Sequence, residues 1–160
     1  AHSIVTLVDV RRVPRSKRNP HFNAEALESA LPRAGLGYRY LEILGGLRKT
    51  IGSASSNRAW RNLSFRGFAD YMQTPEFDRG MAELLEIADQ AGPPAIMCAE
   101  ALWWRCHRSL ITDALLARGL PVGHILPNGS VEPARLTPFA AVSNGRVTYP
   151  GPPQLSFEAP

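Results

Sequence analysis

"IVTLVDV", Ile4–Val10, is the stretch whose reading decides the fold. It is apolar and rich in β-branched residues, without the strict alternation of a half-exposed strand. That pattern predicts a strand buried on both faces, as in a parallel sheet. The residues that follow, "RRVPRSKRNPHFN", are polar and basic, and Asn23 is placed to cap a helix through "AEALESALPRA". Gly35 lies just past that helix, and Pro32 distorts its last turn.

The same alternation continues along the chain. "YRYLEIL", Tyr38–Leu44, predicts a second strand, closed by Gly45-Gly46. Residues 47–62 mix Gly, Ser, Asn and basic residues without periodicity and read as a long loop, of the kind that more often carries function than not. "SFRGFADYM" predicts a short helix. Thr74-Pro75 opens a longer one, in which Phe77, Met81, Leu84, Leu85 and Ala88 recur at helical spacing and mark a core face. "PAIMC" predicts a third strand, residues 102–118 a helix ended by Gly119, and "PVGHIL" a fourth strand. Strands alternating with helices imply an α/β fold: a three-layer, open, mostly parallel sheet with helices on both faces.

Beyond Leu126 the composition shifts, since seven of the fourteen prolines lie from Pro127 to Pro160. The expected organisation is one α/β domain over 1–126 and an extended Pro-rich tail over 127–160. Within the tail, Asn144-Gly145 predicts a hairpin over 140–149.

Composition excludes some classes. At 44% apolar and 20% charged residues the composition is that of an ordinary globular protein and argues against wholesale disorder. No apolar run reaches the roughly 18–20 residues needed to span a bilayer. The opening "AHSIVTLVDV" lacks the pattern of a signal peptide. Two cysteines are too few for a secreted disulfide scaffold, so a cytoplasmic, reducing setting is expected. The net charge of +4 permits an anionic partner without requiring one.

In an open parallel sheet, ligands bind outside the carboxyl ends of the strands. The basic loop after the first strand and the cysteine ending the third therefore belong to one edge. That edge gathers Asp9, Arg11, Arg12, Arg18 and Asn19 with Glu42, Cys98 and Glu100. Cys98, at a strand-to-helix junction near arginines, is placed for a lowered pKa and a nucleophilic role. Glu100 and His107 are candidate acid/base groups. Arg105 and Arg108 share a helical face and suit a carboxylate or phosphate. Of the adjacent Trp103 and Trp104, one is expected in the core and the other, Trp104, at the site. Cys106 falls on a stripe with Trp103, Leu110 and Ala114 and reads as core. No cofactor is predicted. Cys98, Cys106 and His107 are a metal-ligand alternative, against which stand a spacing unlike a zinc finger and the divergence of helix neighbours by about 100°.

At these residues the chain resembles a prokaryotic family defined as domain of unknown function 488. The blocks that carry the resemblance are "LVDVRRVPRSKRNPHFN", "YLEILGG", "FRGFADYM", "MCAEALWWRCHRSLI" and "GHIL", in order over about residues 4–126. The resemblance implies an α/β sandwich in which Asp9, Arg11, Arg18, Asn19, Pro20, Phe22, Cys98, Glu100, Cys106, His107 and Arg108 group together. It also implies a preceding strand and helix with a Gly-His-Ser turn, whereas this chain opens almost at the second strand. A histidine of the later "EP…LTP" region is replaced at Ala134-Arg135. More loosely, the chain is similar to rhodanese-like domains and cysteine phosphatases, with C-x6-R in place of their C-x5-R.

The expected function is a cysteine-dependent enzyme acting on an anionic substrate, a nucleotide, nucleic acid or phosphorylated metabolite. The alternatives are a nucleic-acid-binding module that uses loop 11–18 and a metal-dependent hydrolase. No membrane partner is expected, and an uncovered sheet edge predicts a homodimer.

Overall fold

The computed structural model describes residues 2–152; the end of the Pro-rich tail, 153–160, lies outside them. The chain forms two compact units, one built from residues up to Leu47 with Thr74–Arg108, the other from Arg48–Gln73 with the chain from Ser109 onward.

The first unit holds the parallel sheet. Strands β1 (Thr6–Asp9), β2 (Gly37–Tyr40) and β3 (Ala95–Met97) lie in the order β2-β1-β3. Both neighbours of β1 are parallel to it, with Thr6 opposite Gly37 and Leu7 opposite Ala95. Pairing runs on past the strand ends, where Val10 N donates to Met97 O at 2.9 Å and Leu41 N donates to Asp9 O at 2.9 Å. As the central strand, β1 has Thr6, Val8 and Asp9 buried, as its unbroken apolar pattern predicts. β2 is shorter than "YRYLEIL", because the chain leaves the sheet at Leu41 and makes a 3-10 turn over Glu42–Leu44.

Helix α1 (Ala24–Ala30) has Asn23 at its cap position, but the Asn23 side chain accepts Ser16 N at 2.7 Å and ties the basic loop down instead. A 3-10 turn, Pro32–Ala34, follows, and Gly35 closes it at φ 73°. A later helix of this unit, labelled α3 in chain order (Pro75–Ala91), starts with the Thr74 hydroxyl accepting Phe77 N and Pro75 in its first turn. Phe77, Met81, Leu84 and Ile87 are buried along one stripe. Gly80 lets this helix close on Leu44, since a Cβ there would lie 2.7 Å from Leu44 Cδ2.

The second unit contains α2 (Leu63–Tyr71), most of α4 (Arg108–Leu116) and two hairpins: β4 (Gly123–Ile125) with β5 (Val131–Pro133), and β6 (Ala141–Ser143) with β7 (Arg146–Thr148). Phe68, Leu110, Ile111, Ala114, Val147 and Tyr149 are among its buried apolar residues. The β6–β7 turn is the predicted Asn144-Gly145 pair, both with positive φ. The long loop is ordered by Asp70, whose carboxylate accepts from Thr50 Oγ1, Ile51 N, Ser55 Oγ and Asn57 Nδ2. Burial opposes ionisation of Asp70, and those four donors outweigh it, so its pKa is lowered.

Two expectations are corrected. "PVGHIL" does not extend the parallel sheet; it pairs antiparallel with β5. The reason is Asn128-Gly129, with Gly129 at φ 81°, which turns the chain straight back on itself. The helix predicted over 102–118 is instead a 3-10 turn, Trp103–Arg105, then extended backbone at Cys106 (φ −131°, ψ 150°), then α4. Among the described residues no helix is long and apolar enough to cross a membrane.

Candidate functional site

Everything in the site belongs to the first unit. β1 and β3 are parallel neighbours, so the segments after Asp9 and after Met97 leave the same edge of the sheet. Two groups of polar side chains form there.

The first is at the end of β1. Asp9 and Arg11 are 0% and 5% exposed. Asp9 Oδ1 accepts Arg11 Nε at 2.8 Å and Arg11 N at 3.1 Å, while Oδ2 accepts Tyr38 Oη at 2.7 Å. The Arg11 guanidinium is thus committed to a buried carboxylate. The hydrogen bond from Arg11 to Asp9 raises the Arg11 pKa against the effect of burial. Burial, and then the bond to Asp9, hold the Tyr38 phenol well above its usual range.

The second is a sulfur–imidazole cluster. His107 Nδ1 lies 3.5 Å from Cys106 Sγ and 3.9 Å from Cys98 Sγ. Its other nitrogen, Nε2, is 3.2 Å from the carbonyl of Val10. A carbonyl only accepts, so Nε2 carries the proton, and in the neutral ring the Nδ1 lone pair faces both sulfurs. The arrangement depends on the extended backbone at Cys106. On a continuous helix Cys106 and His107 would diverge, and the objection to their acting jointly disappears with the helix. It also depends on Gly46, where a Cβ would stand 2.8 Å from His107 Nδ1. Gly45 is equally confined, its Cβ position lying 3.1 Å from Arg12 Cα.

Arg108 braces the cluster. Its Nε donates to Cys106 Sγ at 3.5 Å, and its Nη2 bonds the carbonyl oxygen of Glu100. The Glu100 carboxylate accepts Leu102 N at 3.2 Å, so its side chain shapes the turn between Cys98 and Cys106.

The two sulfurs differ. Hydrogen bonding from Cys98, opposed by burial and aided by Arg108, lowers the Cys106 pKa to about 6. The hydrogen bond to Cys106 and burial push Cys98 up to about 12. The Cys98 thiol thus donates to Cys106, and the shared proton favours the charge on Cys106. The lowering expected at Cys98 falls instead on Cys106, chiefly through the hydrogen bond from Cys98 and then through Arg108.

The remaining candidates are peripheral. Arg12 pairs with Glu42 at 3.2 Å with both side chains about half exposed. Arg18, Asn19 and Arg105 are exposed. Trp104 is 53% exposed and meets Trp103 edge-on at 5.6 Å. Sequence reasoning missed the Val10 carbonyl and the Tyr38 hydroxyl; Cys106 is buried, as its core reading expected, and in addition faces His107. The Gly45-Gly46 pair was the available signal, as two adjacent glycines after a strand mark a close approach.

Searches of curated proteins and of solved structures give no match. A family model does match, over residues 1–115, which include β1, the basic loop and the whole sulfur–imidazole cluster. The chain belongs to the family described as "Domain of unknown function DUF488".

Proposed function

We propose that this protein is a cysteine-dependent enzyme acting on an anionic substrate at the carboxyl edge of its parallel sheet. The observation that carries the reading is the cluster itself, in which one sulfur, Cys106 Sγ, is met by a guanidinium and by an imidazole whose tautomer is fixed from behind by Val10. A thiolate held by a guanidinium, with a neutral imidazole fixed in one tautomer beside it, supplies a nucleophile and a separate base. Cys106 Sγ attacks the electrophilic centre of the substrate, and the bond to the leaving group breaks. The Cys98 thiol supplies the proton that the leaving group needs, because its partner's negative charge has gone into the new bond. His107 Nδ1 then takes a proton from the water that releases the product and Cys106, and passes it to Cys98, which restores the starting state.

The anionic character of the substrate is supported by Lys17, Arg18 and Arg105, all exposed on segments that leave this edge. Arg11 has no part in binding, being turned onto Asp9. The test is alkylation of chelator-treated protein at neutral pH, resolved by peptide. Cys106 should react before Cys98, and phosphate or a nucleotide should slow it. Reaction of neither cysteine until the protein unfolds would end this reading.

A further inference from the structure

We infer that Cys98, Cys106 and His107 form a binding site for a single zinc ion, with the fourth coordination position open. The inference rests on the reading of this cluster as the reaction centre, and it adds a metal to that centre as a regulator.

The argument is geometric. The three donor atoms lie within 4.8 Å of one another. Around a tetrahedral zinc, with Zn–S near 2.3 Å and Zn–N near 2.0–2.1 Å, a sulfur and a nitrogen ligand stand about 3.6 Å apart. The two sulfur–nitrogen separations here are 3.5 and 3.9 Å. Both sulfur–nitrogen pairs therefore stand within a few tenths of an ångström of the zinc-bound separation.

Two further features belong to metal sites. A ligating histidine almost always donates its second N–H to a carboxylate, a water or a backbone carbonyl, which orients the ring and fixes its tautomer. His107 does this through Val10. Ligating sulfurs are tuned by N–H donors, as Arg108 Nε does for Cys106. The donor set, two thiolates and one imidazole, selects zinc over magnesium or calcium, which take oxygen ligands. Three protein ligands leave a place for a water or an anion.

A consequence follows for the enzyme. A sulfur bound to zinc has its lone pair engaged, so zinc occupancy and sulfur nucleophilicity exclude each other. Micromolar or tighter zinc would hold the enzyme silent, and a chelator would release it.

The experiment uses the full chain, stripped with chelator under reducing conditions and titrated with Co2+ and then Zn2+. Expected are one ion per chain, the intense thiolate-to-cobalt absorption of a tetrahedral site, and its loss on adding zinc. Zinc should also protect both cysteines from alkylation. Cys98→Ser and His107→Gln, checked for folding by circular dichroism, should each weaken zinc binding by at least about a hundredfold, the upper end of what loss of an outer hydrogen-bond partner costs. Absence of the tetrahedral cobalt spectrum, or a spectrum unchanged in both variants, would overturn the inference. A metal-free Cys106 that alkylates readily while no ion binds would sink the zinc site and leave the cysteine reading standing. Zinc binding with both thiols inert in the metal-free protein would do the reverse.

Discussion

Replacing Cys98 by alanine should raise the pKa of Cys106, and the size of the change can be worked from the site. The largest influence that holds Cys106 at about 6 is the hydrogen bond it receives from the Cys98 thiol. Hydrogen bonds to charged groups contribute about 1.5–3 kcal/mol, and a thiol is a weak donor, so the lower end applies. At 1.36 kcal/mol per pKa unit this is a rise of about one unit, to near 7. Burial, which favours the neutral thiol, is then opposed chiefly by Arg108. Cys98→Ser retains a donor of nearly the same shape and should move the midpoint by only a few tenths of a unit, on the same scale. The assay is the rate of Cys106 alkylation against pH in chelator-treated protein, followed at the peptide level. A midpoint in Cys98→Ala that stays at the wild-type value, or falls, would refute the shared proton.

Two further changes test the frame around the site and the second unit. Gly46→Ala puts a methyl 2.8 Å from His107 Nδ1; it should break the Val10 bond and weaken zinc binding by about 10–100-fold, read by competition with a chromophoric chelator. Asp70→Ala leaves the buried Ser55 and Asn57 side chains without their carboxylate acceptor, a loss of about 3–5 kcal/mol in urea unfolding. Because the folded pKa of Asp70 is lowered, its ionised form stabilises the protein above the unfolded value of about 3.9. That stability is lost as pH falls through the folded pKa, so the gap between wild type and Asp70→Asn should shrink steadily below about pH 4.

How much of this could be read from the sequence differs by element. The central strand was legible because its apolar run reflects its own burial, whichever partners it finds. The Asn144-Gly145 hairpin was legible because its turn chemistry is local. "PVGHIL" was misassigned because strand pattern says nothing about partner, and the deciding residues, Asn128-Gly129, sit outside the run. The helix expected from 102 failed for a different reason. Helical propensity there gives way to contacts within the segment itself, the Glu100 carboxylate on Leu102 N and Arg108 on the Glu100 carbonyl. That override turns Cys106, still buried, toward His107. The convergence of the β1 and β3 ends was correctly expected from topology. Which cysteine carries the charge was not, because it turns on which thiol donates to the other and on the reach of Arg108.

The bond from His107 to Val10 has an evolutionary side. What fixes the imidazole is a peptide carbonyl, a group that every amino acid supplies. Position 10 itself is fully buried, so selection there weighs volume and branching, and isoleucine or leucine would keep the bond. A scan of substitutions would score Val10 as an ordinary packing residue and Gly46 as intolerant, although both serve the same ring. The group that holds the imidazole is thus hidden from any comparison of side chains, and descendants of this chain can rebuild the strand around it while the chemistry stays put.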